Sequence, residues 1–346
     1  MLATPQQENI MYFRFLVLIL SVFSLPFAAG AADVANLRCE YLKDPLGIDV
    51  AKPRLSWVLE ERIQGTGDRG QRQAAYQILV ASTPGLLAKD QGDLWDSGKV
   101  ASDQSILVEY AGKPLESGIQ CYWKVRVWTL TSDLRLPTSS DWSKPALWTM
   151  GLLKPEDWQA KWITLPDPKR LSHPWLRRTF EIKEGVARAV MYINTASYYE
   201  LHINGKKVGP YVLEPGITQV DKRFIVNAYD VTSFLDKGKN TIAVWMGPGW
   251  HQPRNGNTNN APVLRAQLNI NTHSGPMEIG TDASWRVKDS CISQIGGWSW
   301  NNFGGERFDA REFVDDWDQV GLDDSTWAQA HEIPAPNVAH SWQGCE

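Results

Sequence analysis

Cysteine is scarce in this 346-residue chain: there are four, Cys39, Cys121, Cys291 and Cys345. None stands at metal-ligand spacing from another, which argues against a zinc centre. An excess of one charge sign is missing too, since 35 Lys and Arg face 39 Asp and Glu for a formal net charge of -4. With no basic stripe to follow phosphates, nucleic acid is not an expected partner. After residue 25 no apolar run approaches the roughly twenty residues that a bilayer-spanning helix requires, so a membrane is not an expected partner either. Helical periodicity and internal repeats are also absent, which removes helical bundles and solenoids from consideration.

Tryptophan is what the chain has in excess, 17 residues of it. An indole offers a flat apolar face and one N–H donor, which suits a β-sandwich core and also suits stacking on a sugar ring. The N-terminus has the form of a signal peptide over residues 1–32. Arg14 precedes the apolar run Phe15 to Leu25, and the small residues Ala28-Ala29-Gly30-Ala31-Ala32 follow, with Met11 as an alternative start. Such a leader implies a secreted or periplasmic protein and makes disulfides feasible. Cys39 and Cys121 fall in one expected domain, where a disulfide and two buried thiols both fit the sequence.

Short strands separated by turns fill residues 33–151. Arg54 to Val58, Ala75 to Ser82 and Cys121 to Thr129 alternate or run apolar at intervals of about ten residues, the pattern of an all-β sandwich of fibronectin type III kind. Residues 152–174 hold Pro155, Pro166, Pro168 and Pro174 and read as an ordered linker lying on a surface. Strand signals resume over 175–332, and a jelly-roll sandwich fits that length. Within it, Tyr199, Leu201 and Ile203 alternate with polar residues. Asn204-Gly205 then supplies two residues tolerant of positive φ, predicting a type I′ hairpin back through Lys206-Lys207-Val208. Residues 333–346 read as an atypical tail.

Several motifs carry a family resemblance. The run YYELHINGKKVG…LEPGITQVDKR…NAYDVTSFL…GKNTIAVWMGPGW resembles the N-terminal accessory domain of bacterial α-L-rhamnosidases, glycoside hydrolase family 78. Gly305-Glu306-Arg307-Phe308-Asp309-Ala310-Arg311 is similar to that family's Gly-Glu-x-Tyr-Asp-Ala-Arg, with Phe308 in the tyrosine position. Asp323-Asp324-Ser325 with Trp327 matches its following Asp-Asp-Ser-x-Trp. NLRCEYLKDPLGIDVAKPRLSW, LWDSGKV and YWKVRVW resemble the leading fibronectin-like module.

The resemblance implies a hydrolase that removes terminal α-L-rhamnose from glycosides or polysaccharides with inversion. That chemistry needs an acid and a base carboxyl roughly 6.5–9.5 Å apart. In the family both come from an α/α barrel following the β-domains, and no helical segments for one occur here. The expectation is therefore a non-catalytic N-terminal portion, inactive alone, in preference to an autonomous lectin-like module or a structural scaffold. A truncated gene product explains the tail best. The expected partners are a rhamnosylated glycoside or polysaccharide and the missing barrel.

Candidate sugar-binding residues sit on two long loops. Trp250 and His251 are placed either to stack on a sugar or to close the sandwich end. Trp298, Trp300, Asn301 and Asn302 form a possible sugar platform or a surface for the barrel. Glu306, Asp309 and Arg311 form the densest charged motif and read as a structural ion network with Arg311 gripped by a carboxylate. Lys222-Arg223 reads as a solvated turn or a partner for Glu214. No cofactor is expected. Related calcium-dependent rhamnose-binding modules (carbohydrate-binding module family 67) place acidic residues just before the Tyr-Glu-Leu strand. Here Ala196-Ser197 occupies that place, a departure that counts against calcium and against rhamnose binding of that type.

Overall fold

A computed structural model describes residues 33–60, 72–130, 137–167, 173–249, 261–296 and 304–342. Nine strands build the first sandwich: β1 (Asp33–Cys39), β2 (Leu46–Ile48), β3 (Arg54–Glu60), β4 (Arg72–Ala81), β5 (Trp95–Asp96), β6 (Val108–Glu109), β7 (Gln120–Leu130), β8 (Thr138–Ser139) and β9 (Ala146–Met150). One sheet runs β1-β3-β6 and the other β2-β9-β7-β4-β5, with β8 also on β7. Alternation explains the packing: Trp123, Val125 and Val127 of β7 point inward and join Trp57, Ile78, Tyr110 and Trp148 in one buried core. The outward set is not idle. Arg126 lies over both Trp128 and Trp142, and Lys124 also covers Trp142. Those indole faces are occupied by cations, which leaves them poor sugar platforms. The one α-helix among the described residues, α1 (Pro84–Ala88), is a single turn capped by Thr83.

Cys39 and Cys121 are free and buried in this core, and Cys291 is free and buried in the second sandwich. Burial pushes the Cys121 thiol up to about 12 and Cys39 well above its ordinary value. The structure thus holds the first pair as buried small hydrophobes rather than as a disulfide.

The segment expected as a linker belongs to the second sandwich. After the 3-10 turn Pro155–Asp157, strand β10 (Trp162–Thr164) buries Trp162 and Ile163. Then come β11 (Pro174–Ile182), β12 (Val186–Thr195), β13 (Tyr198–Ile203), β14 (Lys206–Lys207), β15 (Arg223–Asp230), β16 (Gly238–Gly247), β17 (Arg265–Thr272) and β18 (Gly275–Gly280). The chain finishes with β19 (Arg286–Asp289), β20 (Ile292–Ile295), β21 (Gly305–Phe308), β22 (Ala328–Gln329), β23 (His331–Ile333) and β24 (Ala339–Trp342). The two large sheets are β14-β13-β16-β11-β19-β22 and β18-β17-β12-β15-β24. Between them Leu176, Met191, Ile193, Leu201, Ile242, Val244, Leu268 and Trp285 form the core. β12 is buried continuously from Ala189 to Thr195, as a central strand covered on both faces must be.

The Asn-Gly hairpin forms as expected. Ile203 pairs with Lys206, and Asn204 and Gly205 adopt φ of 51° and 76°. The tail is not a loose end, because Ala339–Trp342 pairs in parallel with Arg223–Val226. Lys222 and Arg223 are exposed. Glu214 turns instead toward Tyr229, whose hydroxyl donates to it at 2.5 Å, and Asn227 at 3.4 Å. Of the two readings the solvated one holds, with Lys222 in the turn and Arg223 opening β15. No helix among the described residues is long and apolar enough to cross a membrane.

Candidate functional site

A cleft of about 540 Å³ opens at one end of the six-stranded sheet. Adjacent β13 and β16 supply Tyr198 and Glu200 from one strand and Trp245 and Met246 from the other, in the register Tyr199↔Met246 and Glu200↔Trp245. The β20–β21 hairpin adds Ile292, Gln294 and Glu306, and the loop before Glu214 adds Val212 and Leu213. His173, buried just ahead of β11, completes the wall, with its Nε2 3.4 Å from a Glu306 carboxylate oxygen. Pro174 fixes the backbone here by entering the sheet as the first residue of β11.

The cleft's polarity is set by its supports. Burial would raise the Glu200 carboxyl, but the hydrogen bond and charge of Lys207, and then His202, outweigh it and hold the group below its ordinary value. The Lys207 ammonium donates to Glu200 at 2.8 Å. His202 meets Asp318 through Nδ1 at 2.7 Å and packs on Trp317 with ring centroids 4.8 Å apart. Trp245 donates its indole N–H to Ser290 Oγ at 3.1 Å, so its polar edge is engaged within the fold. Behind the cleft, Trp175 stacks on Trp317 and Trp327 at 5.9 and 6.1 Å. A second polar knot lies beside it. Tyr199 and Tyr229 share a 2.6 Å hydroxyl contact, Asn227 donates to Tyr199 at 2.8 Å, and burial raises the Glu214 carboxyl above its usual range. The carboxyl oxygens of Glu200 and Glu306 can accept hydroxyl donors while the aromatic and aliphatic wall takes an apolar face.

The sequence-derived candidates divide. Trp250, His251, Trp298, Trp300, Asn301 and Asn302 lie outside the described residues, although Gly249 and Gly305, which border those loops in sequence, both line the cleft. Asn204 and Gly205 are framework: Asn204 Nδ2 donates to Phe234 O at 2.9 Å and its Oδ1 accepts from Thr241 N at 2.8 Å. Glu306 reaches the cleft, whereas Asp309 and Arg311 pair with each other on the turn after β21. The Arg311 Nε–Asp309 Oδ1 distance there is 2.8 Å. Hydrogen bonds from Arg311 hold the Asp309 carboxyl below its ordinary range, the reverse of what a general acid needs. Sequence reasoning passed over His173, Tyr198, Glu200 and Trp245. Only Trp245 had a local signal, its place near the end of β16 just ahead of the loop that follows Gly247. No group of three or more His, Cys, Asp or Glu among the described residues is arranged to hold a metal ion, and Ala196 and Ser197 are buried beside β13.

Comparison with known proteins gives two domain matches. Residues 34–154 match the profile "Rha78A-like, N-terminal immunoglobulin domain", and residues 184–345 match "Alpha-L-rhamnosidase N-terminal domain". An α-L-rhamnosidase of Formosa agariphila is 34% identical over 319 residues, 86% of this chain and 32% of that protein. The solved α-L-rhamnosidase of Dictyoglumus thermophilum superposes with a TM-score of 0.81 at 31% identity, covering 90% of this chain and 35% of that one. The Aspergillus terreus enzyme follows at 0.74 and 27% identity, covering 90% of this chain and 35% of that one. The chain thus spans about a third of the length of the relatives it matches. By both domain matches, in this order, the chain belongs to the α-L-rhamnosidase family and corresponds to the N-terminal β-sandwich portion of its members.

Proposed function

We propose that this chain is a non-catalytic N-terminal portion of an α-L-rhamnosidase-type glycoside hydrolase that removes terminal α-L-rhamnose from glycosides. One observation carries the reading: the match is confined to about a third of the relatives' length, and the described residues are β-sandwiches with no helical barrel. Of the nearest pair of carboxyls, Glu306 and Asp309, the second is held below its ordinary range by Arg311, the reverse of what a general acid needs. Purified chain incubated with an aryl α-L-rhamnoside is expected to release no aglycone above the blank. Turnover that disappears in Glu306→Gln or Asp309→Asn would sink the reading.

The cleft supports a second role, as an autonomous saccharide-binding site. The juxtaposition of Trp245, Tyr198 and His173 with the Glu200 and Glu306 carboxyl groups in one cleft favours it over a pure scaffold. Titration calorimetry with rhamnose and rhamnosylated oligosaccharides is expected to give heat that Trp245→Ala removes. No heat at millimolar sugar leaves the scaffold. Residues 1–32 are proposed to be a signal peptide, ahead of two domains of which the second runs from β10 to β24. N-terminal sequencing of the exported protein checks the signal peptide.

A further inference from the structure

The outer face of the sheet β18-β17-β12-β15-β24 is not open to solvent, because the first sandwich sits on it. Val190, Tyr192 and Ala228 pack there with Leu46, Leu152 and Trp158 in one apolar cluster. Arg188 reaches across from β12, donating to Gly118 O at 3.4 Å and to Thr149 Oγ1 at 3.1 Å. The connecting 3-10 turn is gripped from both sides: Ser117 Oγ donates to the Asp157 carboxylate, and Gln267 Nε2 donates to Asp157 O at 2.9 Å. Gly47 is required at one close approach of the two bodies. Its φ is +87°, and a Cβ built there would lie 2.7 Å from the Ala228 Cβ.

The last strand is the part that belongs to both bodies. The backbone of β24 completes the second sandwich by pairing with β15, Val226 opposite Trp342. Yet the Trp342 indole packs against the core of the first sandwich, its Nε1–H donates to Leu46 O at 2.6 Å, and its backbone N–H donates to Asp49 Oδ2 at 2.9 Å. Domains joined by a tether meet through polar interfaces and reorient freely. This junction is apolar, shape-restricted and tied by directional bonds at three separate points.

We infer that β24, through Trp342, is a clasp that locks the immunoglobulin-like sandwich to the second sandwich, so that the pair unfolds and moves as one cooperative body. The first sandwich is then a fixed extension of the second rather than a spacer, and it presents its surface at a set angle to the cleft end. Coupling of this kind makes damage in one core a property of both.

Scanning calorimetry of the full chain tests this. The wild type is expected to melt in one transition with matching calorimetric and van't Hoff enthalpies. Trp342→Ala and, independently, Gly47→Val are each expected to split it into two transitions. Proteolysis between residues 152 and 161 should then accelerate by about tenfold or more, as local opening no longer needs the whole body. A milder core substitution far from the junction, Trp57→Phe, should lower the single midpoint without splitting it. Two transitions in the wild type would overturn the inference. A single transition at the wild-type midpoint in both Trp342→Ala and Gly47→Val would overturn it equally.

Discussion

Replacing Asp324 by alanine leaves a guanidinium stranded. Arg177, in the middle of β11, is 0% exposed and is ion-paired with Asp324. Its remaining partners are the carbonyl oxygens of Gln319 at 2.6 Å and Leu322 at 3.4 Å. Burial lowers the Arg177 pKa, and Asp324 is the largest opposing influence. Removing one partner of a buried pair costs about 3–5 kcal/mol in general. The Asp324 side chain is 23% exposed, and two carbonyl acceptors survive, so about 2–3 kcal/mol is the expected loss. With a urea slope of about 3 kcal/mol/M, the midpoint should fall by about 1 M. Tryptophan fluorescence reports it directly, because Trp175, Trp317 and Trp327 stack in the cluster that this segment covers. The double variant Arg177→Met with Asp324→Leu should recover most of the loss, since well-packed apolar residues replace such a pair at little cost. A loss under about 0.5 kcal/mol for Asp324→Ala would refute the assignment of Arg177 as the pin of the 313–329 segment.

Two further outcomes follow from titration and burial. His340 on β24 accepts no easy charge: burial first, then the positive charge of Arg265, depresses it to about 4. Asn194 Nδ2 lies 2.9 Å from its Nδ1, and the Trp162 and Phe224 rings enclose it. A depressed base means the unfolded chain binds the proton first. Its contribution is therefore full above about pH 6.5 and is lost as pH falls toward about 4, up to about 3 kcal/mol. His340→Gln should flatten stability across that window in denaturant melts at stepped pH, and an unchanged slope would remove His340 as the cause. Cys39, Cys121 and Cys291 are buried thiols with raised pKa values, so iodoacetamide at pH 8 should leave all three unmodified until unfolding. Mass-mapped labelling of the native protein at any of them contradicts the packing.

The architecture was legible because its signals are local. Tyr199, Leu201 and Ile203 alternate along β13, and Asn204-Gly205 has the φ values that its turn needs, so each residue carries its own instruction. The cleft was not legible in the same way. Trp245, His173 and Glu306 come from three distant segments, and only the pairing of β11 and β13 with β16 and the antiparallel pair β20–β21 bring them around one cleft. The tail misled for a similar reason: His340 and Trp342 are ordinary surface-looking residues until β24 finds β15. The Asp-Asp-Ser-x-Trp motif was visible as a family mark. Its physical role, Asp324 neutralising a fully buried arginine 147 positions away, depends on the fold.

The most direct test of the central claim is turnover. Pure chain, at enzyme-like concentrations with an aryl α-L-rhamnoside, should release no more aglycone than buffer over hours. Steady release that scales with chain concentration and is abolished by Glu306→Gln or Asp309→Asn would contradict it.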